Sequence, residues 1–113
     1  MESTLDALIE TIRAHKHGNP ETSYVAKRFA KGRAKIAQKI GEEGVELALA
    51  VVLQNKQEII CETADLLFHI LIALEEADLS FGDVMAELQQ RQGVSGIAAK
   101  KARYAPIVKP LSD

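Results

Sequence analysis

Two short stretches of this chain place carboxylates where their spacing lets them act together: Glu42-Glu43 with Glu46, and Glu62 with Asp65. If both stretches are helical, Glu43 shares a face with Glu46 and Glu62 with Asp65, because residues three apart are neighbours on a helix. Each pair also interrupts an apolar line. Ile36, Ile40, Leu47 and Ala50 repeat at helical spacing with Glu43 in the gap, and Cys61, Phe68 and Ile72 do so with Asp65 in the gap. A buried carboxylate is costly unless a counter-charge meets it. Sixteen residues separate Glu46 from Glu62, so a turn midway sets both pairs at one level on facing helices. Four anions gathered there raise one another's pKa unless a cation joins them. Oxygen ligands of this kind suit Mg²⁺ or Mn²⁺, and no Cys/His set has zinc spacing. The competing reading, four exposed acids that merely flank a core, is disfavoured by the interruption of both stripes.

The elements that must position these residues follow from caps and periodicity. Ser3-Thr4-Leu5-Asp6 predicts a helix start, and Leu5, Leu8, Ile9 and Ile12 form its apolar stripe to about His15. Lys16 to Thr22, with Gly18-Asn19-Pro20, is a loop, and a short helix runs from Ser23 to near Gly32. A long helix from about Arg33 to Gln54, a break at Asn55-Lys56 and an equally long helix from Gln57 to Asp78 predict an antiparallel pair. Ser80-Phe81-Gly82-Asp83 opens a further helix ending near Arg91, and Ser95 to Arg103 predicts a last short one. The expected fold is all-α, a four-to-five-helix bundle in a single domain over residues 1–103 with a tail over 104–113. Its two long antiparallel helices carry the metal site.

Composition narrows the class. With 113 residues, 47% hydrophobic and 27% charged, one soluble globular domain is expected. Aromatics are 4% and Trp is absent, so the core must be aliphatic. The single cysteine, Cys61, excludes an internal disulfide and, lying in an apolar run, is expected to be buried and inert. No basic leader precedes an apolar segment and no uncharged stretch reaches membrane length, which predicts a cytoplasmic protein without a membrane partner. The net charge of −2 conceals segregation: Arg13 to Lys39 holds eight basic residues and one acid, Ile40 to Gln90 eleven acids and one base. Adjoining basic and acidic segments suit a polyanionic, metal-bound ligand. Nucleic acid does not fit, since the basic part lacks interleaved aromatics.

Gly41-Glu42-Glu43-Gly44-Val45-Glu46 followed by Glu62-Thr63-Ala64-Asp65 resembles the E-E-x-x-E…E-x-x-D signature of the MazG-like nucleoside triphosphate pyrophosphohydrolases. Ser23 to Lys27, Ala30 to Gly32, Lys35 to Glu43 and Ala64 to His69 are most similar to the phosphoribosyl-ATP pyrophosphatases of histidine biosynthesis. The chain departs from their pattern after Ser95-Gly96-Ile97, where Ala98-Ala99 replaces acids. The resemblance implies hydrolysis of phosphoribosyl-ATP to phosphoribosyl-AMP and pyrophosphate. It implies Mg²⁺ on Glu43, Glu46, Glu62 and Asp65, with Glu42 as general base or outer ligand. It also implies phosphate contacts from Lys39, Lys35, Lys31 and Lys27, although i,i+4 ion pairing would account for the same lysines. His69 is either a donor that orients Asp65 or a hydrogen-bonded core histidine. Tyr24 is a candidate to stack on the base or sugar. At Gly44 the expectation is close approach of a helix or ligand, or else a tolerated glycine. A homodimer or higher oligomer is expected, because four helices hardly cover apolar stripes this long and relatives pair helices across subunits. Three rivals remain: a house-cleaning pyrophosphatase of deoxynucleoside triphosphates, a non-enzymatic helical interaction module, and a di-iron protein. Asp65 weakens the last, standing where Glu-x-x-His would put histidine.

Overall fold

A computed structural model describes residues 3–92 of the chain. It contains α1 Thr4–His15, α2 Tyr24–Ala30, α3 Arg33–Val52, α4 Lys56–Glu76 and α5 Phe81–Arg91, with no strand among the described residues. The all-α expectation holds, and the boundaries fall within two residues of those read from caps and breakers. The helix expected over 95–103 and the tail over 104–113 lie outside the described residues. Two compact units are distinguished, residues 1–80 and 81–113.

Within the first unit, side-chain caps set three helix starts. Ser3 Oγ accepts from the Asp6 amide, Ser23 Oγ from Ala26 and Asn55 Oδ1 from Glu58, at 3.0–3.1 Å. The fourth start, at α3, is made by Gly32 at φ 90°, a backbone state that suits glycine. The ends of α3 and α4 repeat one motif. The Asn55 amide donates to Ala50 O and Gln54 to Val51 O; Leu79 donates to Leu74 O and Asp78 to Glu75 O. These are Schellman closures with Gln54 and Asp78 in the left-handed region, at φ 57° and 60°. The α3–α4 connection is therefore Leu53-Gln54-Asn55, a helix stop fused to a helix start. It makes the two long helices antiparallel neighbours, the most extensive pairing in the structure.

The core of this unit is small and aliphatic: Ile12, Val25, Ala26, Ile36, Ala50, Leu71 and Ile72 are buried. Two polar residues are buried with them, Glu43 and His69. On α3 the inward line is the predicted one, with Ile36, Glu43 and Ala50 buried and Ile40 and Leu47 half-buried. On α4 the phase differs from prediction. Ile59, Glu62, Leu66, His69 and Ile72 turn inward, while Cys61 and Asp65 are exposed. The expectation of a buried Cys61 is therefore corrected; its thiol is exposed and accepts from Gln57 Nε2 at 3.6 Å. The apolar run around Cys61 is apolar nearly all round, so its sequence leaves the phase of that half of α4 undetermined.

Arg13 meets Glu75 at 3.4 Å and Arg33 meets Glu76 at 3.8 Å, and Lys16 Nζ donates to Glu75 O at 3.0 Å. These contacts gather α1, its following loop and the start of α3 around the end of α4. In the second unit α5 carries its own pair, Arg91 with Glu87 at 2.8 Å. Among the described residues no helix is long and apolar enough to cross a membrane.

Candidate metal centre

Equal arms bring the acids level. Glu46 lies seven residues before Leu53 and Glu62 seven after Asn55, so each carboxylate is about 10 Å along its helix from the bend at 1.5 Å per residue. Glu43, Glu62 and Asp65 each present an oxygen within 4.8 Å of the others. Glu43 is only 7% exposed, and one of its oxygens and one of Glu62 are buried without a hydrogen-bond partner.

Their electrostatics follow from this crowding. Glu62 is pushed up to about 7, first because the Glu46 carboxyl shares a hydrogen bond with it, then through burial and the charges of Glu46 and Glu43. Glu46 therefore faces the same site, although it lies outside the tightest trio. The raised value marks mutual repulsion among these carboxylates. Of the α4 acids, Glu62 and not Asp65 takes the inward position; Asp65 reaches the cluster from the exposed side.

Glu42 lies outside the trio. It is exposed, accepts from Gln38 Nε2 at 2.9 Å and lies 3.7 Å from Lys39 Nζ. The Gln38 donation, aided by Lys39, holds its carboxyl below the usual range. Lys39 Nζ also lies 3.5 Å from Glu43. Lys35 donates to Gln38 Oε1 at 3.2 Å, one turn back on the same face. Lys27 and Lys31 are exposed on α2 and its C-cap, and neither pairs with an acid among the described residues.

His69 is the core histidine. Its Nδ1 lies 2.8 Å from the Asp65 carbonyl oxygen, which only accepts, so Nδ1 carries the proton. It thus braces the backbone of Asp65 and not its carboxylate. Tyr24 stacks at 5.6 Å on Phe68, and the Arg28 guanidinium lies 5.1 Å over the other ring position of this ladder, Tyr24 itself. Arg28 and Gln38 were not singled out from sequence. The signal for both was i,i+4 spacing, Arg28 after Tyr24 and Gln38 before Glu42. Around Gly41 and Gly44 an added Cβ would meet nothing within 4 Å, so no described helix of this chain approaches closely there.

A groove of about 280 Å³ lined by Lys16, His17, Phe29 and Glu76, among others, lies at the far end of α4 and holds none of these acids.

Comparison with known proteins shows the family. The family model described as phosphoribosyl-ATP pyrophosphohydrolase matches residues 5–92, which include all five acids. A phosphoribosyl-ATP pyrophosphatase of Rhizorhabdus wittichii is 52% identical over 91% of this chain and 97% of its own length. One from Novosphingobium aromaticivorans is 48% identical over 88% and 92%. The histidine biosynthesis bifunctional protein HisIE of Pasteurella multocida is 49% identical over 77% of this chain and 43% of its own. With facing acid pairs on an antiparallel helix hairpin and a match spanning most of its length, this chain belongs to the phosphoribosyl-ATP pyrophosphohydrolase family.

Proposed function

We propose that this chain hydrolyses phosphoribosyl-ATP to phosphoribosyl-AMP and pyrophosphate, as the names of its relatives describe, with Mg²⁺ held by Glu43, Glu62, Asp65 and Glu46. The observation that carries this reading is the convergence of carboxylates from two helices with a buried, unpartnered oxygen on both Glu43 and Glu62. All donors are hard oxygens, which fit Mg²⁺. When bound, the ion neutralises phosphate charge and lowers the pKa of coordinated water.

The residues of the chain supply the rest by position. Water attacks the α-phosphorus in line, its oxygen forming the new P–O bond as the α–β bridging bond breaks and pyrophosphate departs. Glu42, kept ionised by Gln38 and Lys39, stands at the rim as proton acceptor or outer ligand. Lys39 and Lys35, on the helix face that climbs to Glu43, take the remaining phosphates, with Lys31 and Lys27 beyond them. His69 holds the turn of α4 that carries Asp65.

Incubation with phosphoribosyl-ATP, with and without Mg²⁺, tests this by pyrophosphate release. Release should require the ion, and Glu43→Gln should lower it by more than about 100-fold, beyond what outer-shell changes cost. Turnover of deoxynucleoside triphosphates at a comparable rate would refute the substrate assignment.

We also propose that the working form is at least a dimer. Val45, Leu49 and Val52 lie on one face of α3 and are 61%, 57% and 76% exposed, and Ile60 of α4 is 64% exposed.

A further inference from the structure

Lys39 occupies a position that its expected role does not explain. A lysine that only awaits substrate phosphates would extend into solvent. Instead its ammonium lies 3.5 Å from Glu43 Oε1 and 3.7 Å from Glu42 Oε1. Glu43 is buried, and its second oxygen has no partner among the described residues. Lys39 is thus the counter-charge that the buried carboxylate otherwise lacks.

We propose that Lys39 is the resident cation of the metal-free centre, displaced from Glu43 by the arriving divalent ion and thereby released to take a substrate phosphate. The inference rests on the reading of Glu43, Glu62 and Asp65 as metal ligands.

Three features support it. An ammonium and a divalent ion on the same carboxylate repel each other at this range. The lysine side chain is 31% exposed on a flexible stem, so it leaves without disturbing the core. Lys35, one turn back and already hydrogen-bonded to Gln38, marks where a second ammonium sits on that face, so the released Lys39 joins a paired cationic surface. The order of events follows: metal loading exposes the phosphate-binding charge, and substrate comes second. Metal-free protein keeps this charge internally neutralised and binds polyphosphates weakly. The lysine also keeps Glu43 tolerable before any ion arrives.

The test is calorimetric titration of Mg²⁺ and Mn²⁺ into the full chain without substrate. Lys39→Gln should melt lower than wild type in the absence of metal yet bind the ion about tenfold more tightly, equivalent to about 1.4 kcal/mol. Lys39→Arg, which keeps the charge, should stay within about twofold of wild type. Arg33→Gln, which loses a positive charge and its ion pair with Glu76 some 15 Å along α3 from Glu43, is the control for a remote charge and should leave metal affinity unchanged. Equal or weaker binding by Lys39→Gln overturns the displacement and leaves the metal assignment standing. No binding by the wild type overturns both. The wild-type chain gives an independent reading. After reductive ¹³C-methylation of its lysines, the Lys39 resonance, identified by its loss in Lys39→Arg, should shift on saturation with Mg²⁺; an unmoved resonance overturns the proposal.

Discussion

At the scale of single residues, two carboxylates pull the pH dependence of stability in opposite directions. Glu62 has a folded pKa of about 7 against 4.5 for the free side chain. The folded state therefore binds this proton more tightly than the unfolded chain does. Its contribution is fully present below about 4.5, declines as pH rises and is lost above about 7. The lowered pKa of Glu42 acts oppositely, with a contribution lost as pH falls below its usual range. Between those limits the melting temperature of metal-free protein should fall with rising pH, and Glu62→Gln should flatten that fall. An unchanged slope in the variant would show that Glu62 is not the titrating group. How much of this was legible varies by residue. Glu43 was plain, because Ile36, Ile40, Leu47 and Ala50 fix the face of α3 on either side of it. The inward role of Glu62 was not, because Ile59, Ile60, Cys61, Leu66, Leu67 and Phe68 surround α4 with apolar residues and allow more than one phase. The ties of Glu42 and Glu43 to Lys39 follow i,i+3 and i,i+4 spacing, but spacing does not say which acid is buried.

At the scale of elements, the connection between α3 and α4 fixes the register of the site. Asn55 serves at once as the closing donor of α3, through its amide, and as the opening acceptor of α4, through its side chain. Asn55→Ala removes only the second function and should lower stability by about 1 kcal/mol in chemical denaturation. A change within a few tenths would mean that the packing of the two helices, and not the cap, sets where α4 begins. Ser3 was readable as a cap and Ser23 as a helix start, each a short polar side chain ahead of a periodic segment. Asn55 reads in the sequence only as a break, and its capping of α4 was not legible there. The Schellman closures were not legible either, since Gln54 and Asp78 stand where glycine or asparagine is the usual signal. Their left-handed conformations are imposed by the helices they join.

At the scale of the whole molecule, the buried set is modest, while large aliphatic side chains of α3 and α4 remain in contact with solvent. Val45, Leu49 and Val52 were visible in the sequence, but what covers them was not, because a stripe looks alike whether its neighbour belongs to the same chain or another. If a second copy covers this face, Leu49→Lys should reduce the mass measured by light scattering to that of the monomer. A wild-type mass already at 12.3 kDa would refute the dimer. The open space at Gly41 and Gly44 lies along the same helix, so the close approach anticipated at Gly44 is not made by any described part of this chain. One consequence of the hairpin remains. Because its legs are of matched length to the acids, any flexing at the three-residue bend would spread or narrow the jaws without sliding one set of oxygens past the other. If the proposed ion enters there, such a calliper would fit Mg²⁺ or the slightly larger Mn²⁺ while keeping the teeth aligned.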